Sequence, residues 1–281
     1  MLGRCEVCGG DRDAEVLSLT GPSGLPLSYL QCGRCGLVRL DTDEIYDYND
    51  EDYVEVLTRQ ALSGYKLWGL TLDLVEAHRP PGVLVEVGCG VGTQLRAAVK
   101  RGWEVRGYDI NADCPEVARR MHGVDVRCED FLEQPEEHFA DVVLMHQLIE
   151  HVPDPRPFMA ASRRALKPGG ILVMTTPNWT AARPLAWLAN HTGLPMPRID
   201  HIRPDQHIRL YSPGVFEVLA RRSGWKVLEM RDNPTDHLGY SRALSLRRVM
   251  GSAGRAVAAL SRRRLLVGMN MVVVMTPEVG R

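Results

Sequence analysis

The run Val83-Leu84-Val85-Glu86-Val87-Gly88-Cys89-Gly90-Val91-Gly92-Thr93 restricts the fold of this 281-residue chain more than any other stretch. A β-branched, mostly apolar segment reads as a buried strand. Glycine at every second position after it removes the side chains that would keep a ligand away from backbone N–H groups and the next helix N-terminus. A second apolar run closes at Tyr108-Asp109, and an acid at such a strand end can accept hydrogen bonds from ribose hydroxyls. Together the two strand ends point to a ligand that carries a nucleoside.

The spacing then narrows the nucleoside. A dinucleotide fingerprint, G-x-G-x-x-G, would place its third glycine where this chain has Thr93. Glu86 would repel a pyrophosphate, whereas it suits a cofactor with a cationic amino-acid end. A nicotinamide enzyme is the competing reading. The pattern E-x-G-x-G-x-G resembles motif I of the class I S-adenosylmethionine (SAM) methyltransferases. The resemblance continues in order through Gly107-Tyr108-Asp109-Ile110, Cys128-Glu129-Asp130-Phe131, the run from Asp141 to Pro155 that contains Glu150-His151-Val152-Pro153-Asp154, and Leu166–Met174. It covers residues 83 to 176, with weaker similarity beyond. It implies cofactor contacts from Glu86, Gly88, Gly90, Gly92, Asp109, Ile110, Asp130, Phe131, His146 and Gln147. Beside that stand plainer readings: Asp109 and Asp130 as helix caps, Cys89 as packing, and Tyr108 as core.

Four of the seven cysteines form a second pattern, Cys5-x-x-Cys8 and Cys32-x-x-Cys35, with 23 residues between the pairs. Glycine follows each pair, so backbone N–H groups can turn toward the sulfurs. Two such knuckles supply four thiolates for tetrahedral zinc. Four protein ligands leave no open position, so the expected zinc is structural. It would fasten about forty residues that are too few to fold unaided.

Along the chain we expect a zinc ribbon over 1–40 and an acidic, tyrosine-bearing connector with a helical cap over 41–82. The connector, with Tyr46, Tyr48 and Tyr53, is either a solvated linker or an active-site flap. A helix is expected over 54–78, broken near Gly64. From 83 to 176 the pattern alternates, with strands at 83–87, 103–108, 124–128, 140–145 and 170–175 and helices at 93–101, 112–121, 134–138 and 155–166. Such alternation predicts an α/β fold, a doubly wound, mostly parallel Rossmann-like sheet, and the resemblance implies seven strands. Ligands of such sheets bind outside the carboxyl ends of the strands, where the landmarks fall. Residues 177–212 carry many prolines and read as a lid or substrate segment. Residues 213–281 complete the sheet with a helix at 213–223, a strand at 225–231 and a last strand at 265–275. Between the last two strands lies an insertion with seven arginines, Arg242 to Arg264, and no acid. It is either a solvated basic helical face or a grip for a phosphate-bearing substrate, an anionic membrane surface or RNA.

Methyl transfer from a sulfonium mainly requires alignment of the acceptor, plus a base near neutral pKa where the acceptor is a hydroxyl or ammonium. Histidine suits that role. His146 and His151 follow the fourth strand of the alternating region, and His201 and His207 lie in the proline-rich segment. His151, His207 and His146 are the catalytic candidates, with a structural tie of loop to sheet as the plain reading of His151. Ubiquinone-pathway O-methyltransferases, which the chain resembles, carry a glutamate where this chain has Gln147, a poorer ligand for a hard cation. The expected reaction is O-methylation of a small molecule such as a sugar, a nucleotide-linked sugar or a secondary metabolite. The alternatives are N- or C-methylation, or an RNA methyltransferase that uses the ribbon and arginines as grips. The formal charge of −1, and nine acids against four arginines in residues 1–50, argue against nucleic acid. Without a signal-peptide pattern or an apolar run of membrane-spanning length, the expected location is cytoplasmic.

Overall fold

The computed structural model describes residues 3–20, 26–42, 48, 51–62, 68–134, 136–192, 206–233, 266 and 268–278. His201 and the arginine-rich stretch 242–264 lie outside the described residues. In chain order the elements are β1 (Asp13–Thr20), β2 (Pro26–Cys32), β3 (Val38–Leu40), α1 (Glu51–Leu62), α2 (Trp68–His78), β4 (Val83–Val87), α3 (Thr93–Val99), β5 (Glu104–Asp109), α4 (Cys114–His122), β6 (Val126–Cys128), β7 (Ala140–His146), α5 (Pro155–Ala165), β8 (Leu166–Pro177), α6 (Trp179–Thr192), β9 (Arg209–Leu210), α7 (Pro213–Arg222), β10 (Trp225–Asp232) and β11 (Asn270–Pro277). No helix among the described residues is long and apolar enough to cross a membrane.

Seven strands form one sheet in the order β10-β11-β8-β7-β4-β5-β6. The pairs β4–β5, β4–β7, β5–β6 and β7–β8 are parallel, while β11 runs antiparallel to both β8 and β10. The central strands β4, β7, β8 and β11 are buried on both faces, as their continuous apolar runs require, while β5, β6 and β10 carry exposed residues. Val85, Val143, Leu172 and Val273 face a core shared with Met159 and Ala161 of α5 and Phe216 and Leu219 of α7. Leu84, Leu144, Val173 and Val272 face the opposite core, with Leu72 and Val75 of α2 and Leu95 and Ala98 of α3. Each such Val, Leu, Met or Phe side chain stabilises the fold by about 1.5–3 kcal/mol on burial. The two-residue period leaves Glu86 on the second face, sealed behind the turn that follows β4 rather than open to solvent.

Three local expectations need correction. Among the described residues of 134–138 there is no helix; a short 3₁₀ turn at Phe131–Glu133 precedes them. Asp130 caps that turn by accepting from Leu132 N, and Gln134 is extended, as a residue before proline prefers to be. The described part of the proline-rich segment includes a helix: α6 runs through Pro184, capped by Asn178 Oδ1, which accepts from Thr180 N (3.1 Å). The ribbon, finally, is not closed within residues 1–40. Strands β1, β2 and β3 form an antiparallel sheet whose fourth strand is β9.

That second sheet shares its cores with the rest of the molecule. Leu17, Tyr29, Val38 and Leu40 pack with Trp179, Ala182 and Ala186 of α6. Cys5, Val7, Cys8, Cys32 and Leu37 belong to the same apolar cluster as α5, α7 and one face of the large sheet.

Candidate active site

The carboxyl ends of β4, β5, β6 and β7 open onto a cavity of about 330 Å³. Its described lining includes Gly88, Asp109, Ile110, Asp130, Phe131 and Gln147 from the expected set, and Tyr48, Tyr53, Leu148, His151, Val152 and Phe158 besides. Glu86, Gly90, Gly92 and His146 stand outside the lining.

The glycine turn is shaped by what lies around it. Gly88 has φ +68°, and a Cβ there would sit 2.9 Å from Leu148 Cδ1, so a side chain would both strain the backbone and invade the cavity wall. Gly92, at φ +73°, starts α3, and its Cβ would meet Val124 Cγ2 at 2.7 Å. Backbone bonds from Gly88 N (2.8 Å) and Cys89 N (3.2 Å) to Tyr108 O knit the turn to the end of β5. Asp109 completes the junction: Oδ2 accepts from Gly90 N (2.7 Å) and Oδ1 from Asn111 N (3.0 Å). Burial raises the Asp109 carboxyl above the usual range, although these amides work in the opposite direction. Glu86 is fully enclosed, its Oε2 has no hydrogen-bond partner among the described residues, and burial beside Asp109 pushes its carboxyl well above the ordinary value. Asp130 spends Oδ1 on the turn it caps, and Phe131 meets Tyr108 edge to face at 5.3 Å.

On the opposite side the chain leaves β7 through a strained residue. Gln147 has φ +51°, uncommon for any residue but glycine and most often seen where a site demands it. Its N–H reaches Thr175 O (3.0 Å). Turned so that both ends meet complementary groups, its amide nitrogen would donate to Glu150 Oε1 (3.2 Å) and its amide oxygen would accept from Thr176 N (3.2 Å). His146 is held against Thr175 Oγ1 at 2.9 Å. A 3₁₀ turn, Ile149–His151, then carries the buried Glu150 and the half-buried His151. Burial lifts the Glu150 carboxyl to about 8.

His151 is the meeting point. Its Nδ1 lies 2.5 Å from Tyr48 Oη and 3.0 Å from Gln206 O. A carbonyl oxygen can only accept, so the bond to Gln206 belongs to the tautomer with the hydrogen on Nδ1 and a lone pair on Nε2, with Tyr48 Oη as a second acceptor; in the other tautomer the Tyr48 hydroxyl donates to Nδ1 and the bond to Gln206 is lost. Nε2 stands 4.0 Å from Glu150 Oε1. The rings of His151 and His207 meet edge to face at 4.8 Å. Tyr48 is anchored in turn, its carbonyl accepting from Asn111 Nδ2 (2.6 Å) and its ring meeting Tyr53 at 5.2 Å. Two tyrosines of the acidic connector therefore stand in the cavity wall, facing the turn that follows β7. The tyrosine pair was visible in the sequence; its partner histidine 103 positions away was not.

Glu150, His151 and His207 bring donor atoms within 4.8 Å of one another, a cluster that could hold a metal ion. The chemistry fits a hard cation poorly, because burial keeps its one carboxyl protonated near neutral pH and Gln147 is neutral. The second cluster is different. Cys5, Cys8, Cys32 and Cys35 gather their sulfurs within 4.8 Å, with Cys5–Cys35 at 3.6 Å and Cys8–Cys32 at 3.5 Å. Tetrahedral zinc with Zn–S near 2.3 Å requires S···S separations of roughly 3.8 Å, which this arrangement meets.

A family model described as "Methyltransferase domain" matches residues 59–230. Among curated proteins, the chain is 28% identical over 152 residues to a ubiquinone biosynthesis O-methyltransferase of Hydrogenovibrio crunogenus, covering 50% of this chain and 61% of that protein. The corresponding enzyme of Idiomarina loihiensis is 31% identical over 156 residues, covering 49% and 62%. The match thus spans about three fifths of these relatives. Among solved structures, a SAM-dependent methyltransferase from Archaeoglobus fulgidus superposes with a TM-score of 0.52 at 17% identity, covering 80% of this chain and 99% of that one. A 1,6-didemethyltoxoflavin-N1-methyltransferase of Burkholderia thailandensis gives 0.52 at 14% identity, covering 86% and 96%.

Proposed function

The chain belongs to the methyltransferase-domain family and has the class I SAM-dependent methyltransferase fold, and from this premise we propose that it methylates a hydroxyl on a small, uncharged, ring-bearing acceptor. The observation that carries the reading is the shared cavity. The glycine turn and Asp109 form one wall, and His151 with Tyr48 forms the wall facing them.

The residues present fit SAM. Gly88 leaves a space that a Cβ would fill, and the Glu86 carboxyl lies sealed behind the turn with an oxygen unpartnered among the described residues. Asp109 would take the ribose hydroxyls, Ile110 and Phe131 the faces of the base, Asp130 its edge, and Gln147 the amino-acid end. Gly90 and Gly92 serve by holding the turn, and Glu86 by placing a buried carboxyl behind it. When bound, SAM supplies the electrophilic methyl group.

The protein's part is alignment and proton removal. Tyr53, Leu148, Val152 and Phe158 offer flat apolar walls that suit an aromatic or other planar acceptor. The carboxylates of Asp109, Glu129 and Asp130 disfavour a phosphorylated one, so a nucleotide-linked sugar is the weaker reading of the acceptor. In the tautomer with the hydrogen on Nδ1, His151 Nε2 would take the acceptor's proton, and the His207 ring packs edge to face against the imidazole. His146, tied to Thr175, has a structural part. Cys5, Cys8, Cys32 and Cys35 would hold a structural zinc.

The test is calorimetry on the metal-replete protein with SAM, S-adenosylhomocysteine and NADH, followed by transfer of labelled methyl to a panel of catechols, other phenols and nucleotide-linked sugars. Heat with both sulfur nucleosides and label in a phenol support the reading, and His151→Gln should abolish the transfer while leaving the binding. Heat with NADH alone would end it.

A further inference from the structure

The ribbon touches the acceptor wall of the cavity through a short piece of chain. Residues 206–209 are gripped along one edge by the ribbon and along the other by the His151 turn. On the ribbon side, β9 pairs with β3 in the register Val38↔Leu210 and Arg39↔Arg209, and Leu40 N donates to Ile208 O (3.0 Å). The buried Tyr29 of β2 donates its hydroxyl to His207 O (2.8 Å). Arg209 forms an ion pair with Glu6, a residue between the first two cysteines, and Arg39 pairs with Glu6 and Asp13. On the active-site side, Ile208 N donates to Glu150 O (3.0 Å) and His151 Nδ1 meets Gln206 O (3.0 Å).

We propose that the zinc ribbon is a positioning element of the active site, in which Tyr29, Glu6 and Arg209 transmit the fold of the cysteine cluster to the His151–His207 pair. The inference rests on the methyltransferase reading for what the histidines do, and on the zinc reading for what shapes the cluster. Its physical content is separate from both. Glu6 lies inside the first knuckle, so the fold of the knuckle sets where its carboxylate meets Arg209. Arg209 and Arg39 are almost wholly buried, and a buried cation that loses its partner relaxes toward water instead of staying in place. β9 would follow Arg209, and with it the carbonyl of Gln206 that fixes the imidazole tautomer of His151. Tyr29, Glu6 and Arg209 are positioning residues in this scheme and touch no reacting atom.

The experiment uses the full chain with labelled histidine imidazoles, followed by NMR. Removing zinc with a strong chelator, and separately making Tyr29→Phe, Glu6→Gln and Arg209→Met, should shift the His151 and His207 resonances and alter their titration, with His78 and His122 unmoved. Tyr29→Phe should keep full zinc content, Arg209→Lys should restore part of the native spectrum, and each variant should bind S-adenosylhomocysteine like the parent. Histidine signals unchanged after zinc loss and in Tyr29→Phe would overturn the proposal. Loss of S-adenosylhomocysteine binding in step with the histidine shifts would overturn it too, since the ribbon would then support the fold at large. A parent protein that never binds S-adenosylhomocysteine defeats the methyltransferase reading instead, and leaves the histidine coupling measurable.

Discussion

Replacing Glu150 by Gln should reverse a pH-dependent loss of stability that the wild-type chain carries. Glu150 is completely buried, next to the hydroxyl of Thr176, and desolvation lifts its carboxyl from 4.5 to about 8. Below pH 4.5 the group is protonated in the folded and unfolded chains alike and contributes nothing. Between 4.5 and about 8 the unfolded chain releases the proton and the folded chain keeps it, so stability falls as pH rises. Above about 8 both forms are ionised and the loss is complete. The window spans about 3.5 units (8 less 4.5), and at 1.36 kcal/mol per unit its ceiling is about 5 kcal/mol. Relaxation around a buried charge reduces this, and ~2–4 kcal/mol is the expected figure. A neutral isostere carries no such term. Urea unfolding of both chains across this range is the assay, because every other titrating group is common to both and cancels in the difference. The stability of E150Q relative to wild type should climb between pH 4.5 and about 8 and then level off. In thermal melts this corresponds to roughly 5–15 °C. Parallel curves for the two chains would show that Glu150 ionises normally and would refute the argument.

Three further outcomes follow from the geometry. Gly107→Ala should destabilise by about 1–3 kcal/mol in urea, since its Cβ would stand 2.6 Å from Leu95 Cδ1 and 2.7 Å from Cys89 Sγ in a packed core. Asp109→Asn should weaken S-adenosylhomocysteine binding roughly 10–100-fold by calorimetry, because a charged acceptor already aligned by Gly90 N and Asn111 N is lost. Chelation should release one zinc per chain and lower the melting temperature by about 10 °C or more, since structural zinc supplies folding free energy directly; release of none would remove the zinc assignment.

Much of the cavity wall formed by the glycine turn and the end of β5 was legible in the sequence because its determinants are local. Glycine spacing fixes the turn after β4, an acid ends β5, and apolar runs mark strands buried on both faces. Errors arose where one residue carries two meanings. Pro184 signals a break, yet α6 runs through it and gives up the backbone bond that its missing N–H would have made. Gln134, which reads as helical, is held extended by the proline after it. The acceptor wall was legible only as a set of candidates. Nothing near Tyr48 in sequence announces that its hydroxyl ends at His151, because that contact depends on the path of the connector over the strand ends.

The join between ribbon and catalytic sheet was invisible for a stronger reason: local rules argue against it. β9 is two residues long, and pairing it with β3 puts Arg209 directly opposite Arg39. Like charges facing each other across a strand pair destabilise it, and two almost fully buried guanidinium groups would do so severely. What makes the pairing possible is the placement of Glu6 and Asp13, which bring two negative charges to two positive ones. Glu6 occupies the x-x of the first Cys-x-x-Cys, a position the metal pattern leaves free to vary. The residue is therefore silent in a reading of the zinc motif and decisive for whether β9 can form. Strand pairing, ion pairs and hydrogen bonds join the cysteine-bearing ribbon to the histidine-bearing segment, so a ribbon boundary drawn at residue 40 cuts through the small sheet.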